Sequence, residues 1–249
     1  VEDQVDAKNV SRVLYPDGST PQGKELRFKQ QYFFVSASIQ DILATHLSEE
    51  RSLEELPSSL AIQLNDTHPT LAIPELMRLL LDQYDMPWAD AWALCRQVFG
   101  YTNHTLLPEA LESWPVQYFE RFLPRHLESI YRINEEFLLE VEKRFKGDGA
   151  AKTTLSIIAE SYGRRVRMAH LAVVGSHKVN GVAKLHSELM QKTIFSGFAQ
   201  MFPDRFTNVT NGITVRRWLK QSNPRLSRLL TERLGSAWEN DLEEIERLR

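Results

Sequence analysis

The sequence predicts a helix-rich α/β fold, and three observations support this prediction. Short apolar runs alternate with segments whose apolar residues recur at helical spacing. Polar residues directly follow several of the short runs, as they do where a strand ends in a turn. The chain has 249 residues, of which 42% are hydrophobic and 25% charged, a composition typical of a globular protein with a sizeable core.

Helical periodicity identifies the longer elements. It predicts helices over residues 25–47, 73–83, 88–99, 116–123, 127–145 and 182–198, and a further helix from Trp218 that breaks at Asn223-Pro224. Gly100 follows the third of these helices, and we expect it to end that helix in the left-handed conformation.

Apolar runs bounded by turn residues predict the strands. Residues 60–64 form a short run that ends in the polar sequence of residues 65–69. Residues 157–165 are typical of a β hairpin. Residues 206–214 alternate in polarity and then turn at Asn211-Gly212.

Charge and cysteine content narrow the function classes. The net charge of −3 comes from 30 basic and 33 acidic residues spread along the chain, which argues against a nucleic-acid-binding protein. No run of about 18 apolar residues is present, so we expect no membrane span. The single Cys95 and the absence of a secretory signal at residues 1–8 favour a cytoplasmic protein.

Polar clusters at the ends of apolar runs carry the candidate chemistry, because ligands of open α/β sheets bind beyond the carboxyl ends of the strands. In the first cluster, Asp66 and His68 could form an acid–base pair or bind a metal ion. Alternatively, Asp66 or Thr67 caps the following helix.

The second cluster contains His104, which could donate a hydrogen bond to a sugar hydroxyl or be a satisfied histidine of a turn. Glu109 and Glu112 follow at helical spacing, so we expect them on one helix face, which could equally be a solvated face.

The third and fourth clusters lie at residues 176–188 and 208–214. Three histidines suggest a metal site, but their spacing matches no compact ligand pattern: His170, His177 and His186. Arg216 and Arg217 could meet a phosphate, and Trp218 could pack on a flat ring. No Walker phosphate loop, GxGxxG or GxSxG motif is present.

Taken together, these stretches resemble the α-glucan phosphorylase family, and their sequences are most similar to those of bacterial glycogen phosphorylases. The matches come in the family's order and spacing and extend from about residue 8 to residue 241. The longest are Ile62-Gln-Leu-Asn-Asp-Thr-His-Pro69, Tyr101-Thr-Asn-His-Thr105, Val179-Asn-Gly-Val-Ala183, Phe206-Thr-Asn-Val-Thr-Asn-Gly-Ile-Thr214 and Arg216-Arg-Trp218.

The resemblance implies two Rossmann-like lobes of the GT-B type with pyridoxal phosphate between them. Residues 1–207 would form the second half of the N-terminal lobe, and residues 208–249 the start of the C-terminal, cofactor-binding lobe. The implied enzyme is a homodimer. It uses inorganic phosphate to cleave the terminal α-1,4 glucosyl residue of glycogen or maltodextrin, which releases glucose 1-phosphate.

The resemblance also implies roles for particular residues. His104 and Asn211 would contact the 6-hydroxyl of the transferred glucosyl unit, and Val182 would line the same site. Trp218 would lie near the cofactor. Three residues would line a polar pocket beside the anomeric carbon: Asp66, His68 and Glu112. None of these residues would be the chemical acid or base.

Other family features are missing or altered. The lysine that would bind the cofactor lies outside this sequence, so we expect the chain alone to bind no pyridoxal phosphate, to be inactive and to self-associate. Residues 17–19 differ from the family's gating loop, and Ala44-Thr45 replaces an arginine pair that binds an activating nucleotide. Val215 replaces a proline.

Two other functions fit parts of the sequence. The helix that carries Tyr131 and Asn134 matches a glycogen-storage helix, so the chain could be a non-catalytic carbohydrate-binding segment. A metal-dependent hydrolase could use Asp66, His68, His104 and His177, although we expect no metal site.

Overall fold

The computed structural model describes residues 2–146, 148–161 and 163–249. The chain divides into two compact units, Val1–Val209 and Thr210–Arg249. The assignment of residues 1–207 and 208–249 to two lobes of a larger enzyme stays a prediction. None of the helices in the described ranges is long and apolar enough to cross a membrane.

Short strands form two sheets in the first unit. The strands are β1 (Ile62–Asn65), β2 (Phe99–Thr102), β3 (Ser113–Pro115), β4 (Ile158–Ala159), β5 (Arg165–Arg167), β6 (Lys178–Gly181) and β7 (Phe206–Asn208). The larger sheet has the order β1-β2-β6-β7 and is parallel throughout. The smaller sheet, in the order β3-β5-β4, is antiparallel.

Helices dominate the chain, as the periodicity predicts. They are α1 (Glu2–Arg12), α2 (Pro21–Ser48), α3 (Leu56–Ser59), α4 (Ala72–Asp82), α5 (Trp88–Val98), α6 (Val116–Phe122), α7 (Pro124–Arg144), α8 (Gly149–Leu155), α9 (Met168–Gly175), α10 (Lys184–Lys192), α11 (Ser196–Met201) and α12 (Pro224–Leu234). A π-helix spans Arg216–Gln221, and short 3-10 helices span Leu53–Glu55, Pro108–Ala110, Ala237–Glu239 and Leu242–Leu248. The predicted helix-rich α/β class is confirmed.

Gly100 lies inside β2, so its predicted role as a helix cap is wrong. The chain is already extended at Phe99, with φ −93° and ψ 138°. The reason for glycine is close packing between neighbouring strands: a Cβ on Gly100 would lie 2.5 Å from Oε1 of Gln63.

The predicted helix over residues 182–198 is confirmed only in part, because it is divided into two helices. Residues 178–181 form β6, Val182 lies in the turn that follows, and the helical part divides into α10 and α11. The break falls at Thr193, whose φ of −119° and ψ of −98° are incompatible with a helix. The hairpin predicted at residues 157–165 is confirmed as β4 and β5.

A buried carboxylate joins three helices in the core. Glu75 is fully buried in the first turn of α4. Its oxygens accept hydrogen bonds from Ser36 Oγ at 2.7 Å, from the Arg78 guanidinium at 2.9 Å and from His126 Nε2 at 2.6 Å. Burial raises the pKa of Glu75, but the hydrogen bonds from Arg78, His126 and Ser36 outweigh burial and hold the pKa at about 2.

We expect Glu75→Gln to lower the free energy of unfolding by about 3 kcal/mol, because it leaves Arg78 without its carboxylate in a buried site. The folded pKa of Glu75 lies below its usual 4.5, so this stabilisation is present above pH 4.5 and is lost as the pH falls towards 2. Urea unfolding at several pH values measures it.

Glu128→Gln is the matched control, because Glu128 pairs with Arg125 on the surface. In this control, the free energy of unfolding should fall by less than about 1 kcal/mol. Equal losses for the two variants would contradict a special role of the buried carboxylate.

Candidate functional site

The carboxyl ends of the four parallel strands gather the polar clusters. β1, β2, β6 and β7 end at one edge of the sheet, which we call the carboxyl edge. Backbone hydrogen bonds continue past the last strand residues: Asp66 N–H donates to Thr102 O at 3.0 Å, Asn103 N–H to Asn180 O at 2.9 Å and Val209 N–H to Gly181 O at 3.1 Å. The turns after the four strands are therefore held side by side.

His104 is exposed in the turn after β2. Its Nε2 lies 2.6 Å from Oδ1 of Asn65, the last residue of β1. With that oxygen as acceptor, Nε2 carries the proton and Nδ1 remains a hydrogen-bond acceptor. A sugar hydroxyl would then donate to His104, the reverse of the direction that the sequence suggests.

Asn103, next to His104, is buried and organises the same turn. Its Oδ1 accepts from Thr105 N–H at 3.2 Å and from His186 Nε2 at 3.0 Å, and its Nδ2 donates to Tyr101 Oη at 3.2 Å. A side chain that satisfies this many groups fixes the turn. Sequence reasoning missed Asn103 as an organiser, because its partner His186 lies 83 residues away.

Asp66 shapes the turn after β1 and does not cap the next helix. It has a left-handed backbone, with φ 73°. Its Oδ1 accepts from Thr67 N–H at 2.6 Å, whereas α4 begins after Leu71, whose side chain makes no capping hydrogen bond. The predicted capping by Asp66 or Thr67 is therefore wrong.

His68 and Glu112, two of the three residues predicted to line a polar pocket, lie next to each other. His68 Nδ1 is 3.3 Å from Glu112 Oε2, which also accepts from Gln31 Nε2 at 2.9 Å. Glu112 Oε1 is buried and has no partner in the described part of the chain.

Glu109 and Glu112 do not share a helix face, so that prediction is wrong. The 3-10 helix ends at Ala110, and only Glu109 belongs to it. Glu109 is exposed, whereas the Glu112 side chain is 12% exposed, because the chain enters β3 at Ser113 and carries Glu112 inward.

The Glu112 carboxylate raises the pKa of His68 above 6.5. The hydrogen bond that His68 donates to Glu112 is the main cause, and it outweighs the opposing effect of burial. The Tyr15 ring packs edge-on against His68 at 5.1 Å, and the Arg27 guanidinium covers Tyr15 at 3.9 Å. The loop before α2 thus packs against this pocket.

Asn211 and Trp218 belong to the second unit. Asn211 is exposed, and Trp218 is 67% exposed on the π-helix. Val182, in the first unit, is partly buried in the turn after β6. The predicted contacts of Asn211 and Trp218 with substrate and cofactor stay predictions.

Two of the three histidines suggested for a metal site, His170 and His186, have other partners in the fold. Among the described residues, no three His, Cys, Asp or Glu side chains come together as metal ligands. His170 Nδ1 lies 3.0 Å from Ser156 O, and burial lowers its pKa to about 3. Both ring nitrogens of His186 have protein partners.

Two cavities lie apart from most of the predicted residues. One cavity of about 400 Å³ contains Glu112 as its only residue predicted to line the substrate site, and it is lined also by Arg167, His170 and Ser196. A shallower one of about 430 Å³ lies beside Tyr131 and Asn134. Asn134 Oδ1, however, accepts from Ile157 N–H at 2.7 Å, so this oxygen is occupied within the fold. We place the candidate site at the carboxyl edge, because the hydrogen-bonded polar turns meet there.

Comparison with known proteins identifies the family. A family model described as carbohydrate phosphorylase matches residues 1–249. The chain belongs to the carbohydrate phosphorylase family. It is 51% identical to a glycogen phosphorylase of Synechocystis over 248 residues, which are 100% of this chain and 29% of the relative.

Other relatives give the same result. Identity is 54% to a glycogen phosphorylase of Haemophilus influenzae over 242 residues, covering 97% of this chain and 30% of the relative. Identity is 48% to the muscle form of glycogen phosphorylase of Bos taurus over 250 residues, which cover 97% of this chain and 30% of the relative. The chain spans about 30% of the length of these curated relatives.

We expect Glu112→Gln to lower the pKa of His68, because the Glu112 carboxylate is the main group that opposes the effect of burial. Proton NMR titration of the imidazole measures this pKa. Glu109→Gln is the control, since Glu109 is exposed, and it should leave the titration unchanged. A His68 pKa that stays raised in Glu112→Gln would contradict the assigned cause.

Proposed function

We propose that this chain is the part of a glycogen or α-glucan phosphorylase that binds the terminal glucosyl residue. The full-length enzyme would cleave α-1,4 linkages with inorganic phosphate and release glucose 1-phosphate, in the cytoplasm. The observation that carries the proposal is the convergence of the polar turns with His104, Asp66, His68 and Val182 at one edge of a parallel sheet, in a chain of this family.

The side chains of this edge would position and select the sugar. His104 Nδ1 would accept a hydrogen bond from the 6-hydroxyl, and Glu112 would line the pocket beside the anomeric carbon together with His68. Partly buried Val182 offers an apolar contact for the ring. Such contacts raise the rate when they hold the reacting carbon in place.

Pyridoxal phosphate is part of the proposal only for the full-length enzyme. The exposed indole of Trp218 and the neighbouring exposed Arg216 and Arg217 fit one side of a flat, anionic cofactor. When bound, this group supplies a phosphate for proton transfer in the family. The residues of this chain would only contact it, so we propose that the chain alone neither holds the cofactor nor turns over substrate.

Glucose 1-phosphate release from maltoheptaose and phosphate tests the proposal. The full-length enzyme with pyridoxal phosphate should form product, and this chain alone with the cofactor should form none. Turnover by the chain alone would overturn the incomplete-site proposal. An inactive full-length enzyme would overturn the proposed reaction.

In the full-length enzyme, His104→Ala should lower kcat/KM about 10- to 100-fold, because one hydrogen bond to the sugar is lost. Leu107→Ala is the control, since Leu107 is 64% exposed in the same loop. It should retain wild-type activity. If His104→Ala also kept wild-type kcat/KM, His104 would not contact the sugar.

A further inference from the structure

Two consecutive residues of α10 connect three strand ends. The imidazole of His186 lies between the turn after β2, through Asn103, and the turn after β6, through the Val182 backbone. Ser187 Oγ lies 2.9 Å from Asn208 Oδ1 at the end of β7. The first turn of α10 therefore spans three of the four strands at the carboxyl edge.

Backbone donors fix the protonation of His186. Thr105 N–H donates to one side-chain atom of Asn103, so that atom is the oxygen. Val182 N–H donates to His186 Nδ1 at 3.1 Å, so Nδ1 carries no proton. Nε2 therefore carries the proton and donates to Asn103 Oδ1. The ring is neutral, and both of its nitrogens are satisfied.

The surroundings favour the same neutral ring. Burial and the nearby His104 keep the pKa of His186 below 6.5. Gly181 leaves room for the ring, since a Cβ there would lie 2.9 Å from His186 Nδ1 and 2.5 Å from Ser187 Oγ. Any side chain at position 181 would push α10 away from the strand end.

We propose that His186 is a positioning residue that sets the distance between the His104 turn and the Val182 turn. Its two hydrogen bonds have opposite direction, one accepted from Val182 N–H and one donated to Asn103 Oδ1, so the ring acts as a spacer of fixed length. The inference rests on the proposed function, because His104 and Val182 are the residues proposed to face the glucosyl unit.

Three substitutions of His186 distinguish the effects of its two hydrogen bonds. In His186→Asn, the amide oxygen can replace Nδ1 as acceptor for Val182 N–H, but the side chain no longer reaches Asn103. In His186→Gln, the amide nitrogen can replace Nε2 as donor to Asn103, but the acceptor for Val182 is lost. His186→Leu fills similar space and removes both bonds.

In the full-length enzyme, we expect kcat/KM for maltoheptaose to fall about 100-fold in His186→Leu and about 10-fold in His186→Asn and His186→Gln. Activity is expressed per folded molecule, and the unfolding midpoint is measured for each variant. Lys192→Gln, an exposed change at the other end of α10, is the control and should match the wild type.

A merely structural role gives a different pattern, in which the unfolding midpoint falls while kcat/KM per folded molecule stays at the wild-type value. That result would overturn the proposal. If His186→Leu does not fold, the Asn and Gln variants decide the question by the same criterion.

The tautomer gives a readout that does not depend on turnover. Long-range ¹H–¹⁵N NMR of the wild-type protein should show His186 as neutral, with Nε2 protonated and Nδ1 bare. His186→Gln should speed hydrogen exchange at the Val182 amide. If the opposite tautomer were found, the proposal that His186 acts as a spacer would be overturned. An inactive wild-type enzyme with the expected tautomer would instead refute the proposed function.

Discussion

The candidate site depends on how the carboxyl ends of four parallel strands are held together. Strand pairing fixes β1, β2, β6 and β7 up to their last residues, and beyond them the remaining backbone N–H groups need side-chain partners in addition to the few backbone bonds that continue. Asn103 and His186 provide these partners, because their side chains satisfy backbone N–H groups in two different turns. The exposed His104 is therefore held by a buried neighbour that makes three side-chain hydrogen bonds, which is the arrangement that precise ligand contacts require.

A second buried network holds the helices that follow the first turn. Glu75, in the first turn of α4, bonds to Ser36 of α2 and to His126 of α7. Because α4 begins only six residues after Asp66, this network also fixes where the Asp66–His68 turn can lie. The α2 helix supplies Gln31 to Glu112 as well, so one helix supports both the core carboxylate and the pocket carboxylate.

Local patterns predicted most of the longer helices, β1 and the β4–β5 hairpin. They failed where distant contacts decide the structure. β6 reads as a polar segment, with Val179 as its only large apolar residue, yet it is a central strand because β2 and β7 flank it. Glu112 accepts a hydrogen bond from Gln31, which lies 81 residues away in the sequence. The spacing of residues along the chain cannot show such a contact. The polar turns could be predicted because turn residues after an apolar run are a local signal. The hydrogen bonds through which His186 connects two of these turns leave no local signal in the sequence.

A crystal structure of the full-length enzyme with a bound maltooligosaccharide and phosphate tests most directly whether the carboxyl edge binds the sugar. We predict the terminal glucosyl unit at the carboxyl edge, with its 6-hydroxyl within hydrogen-bond distance of His104 Nδ1 and its ring against Val182. An oligosaccharide bound only elsewhere, in the cavity lined by Arg167 and His170 or beside Tyr131, would contradict it.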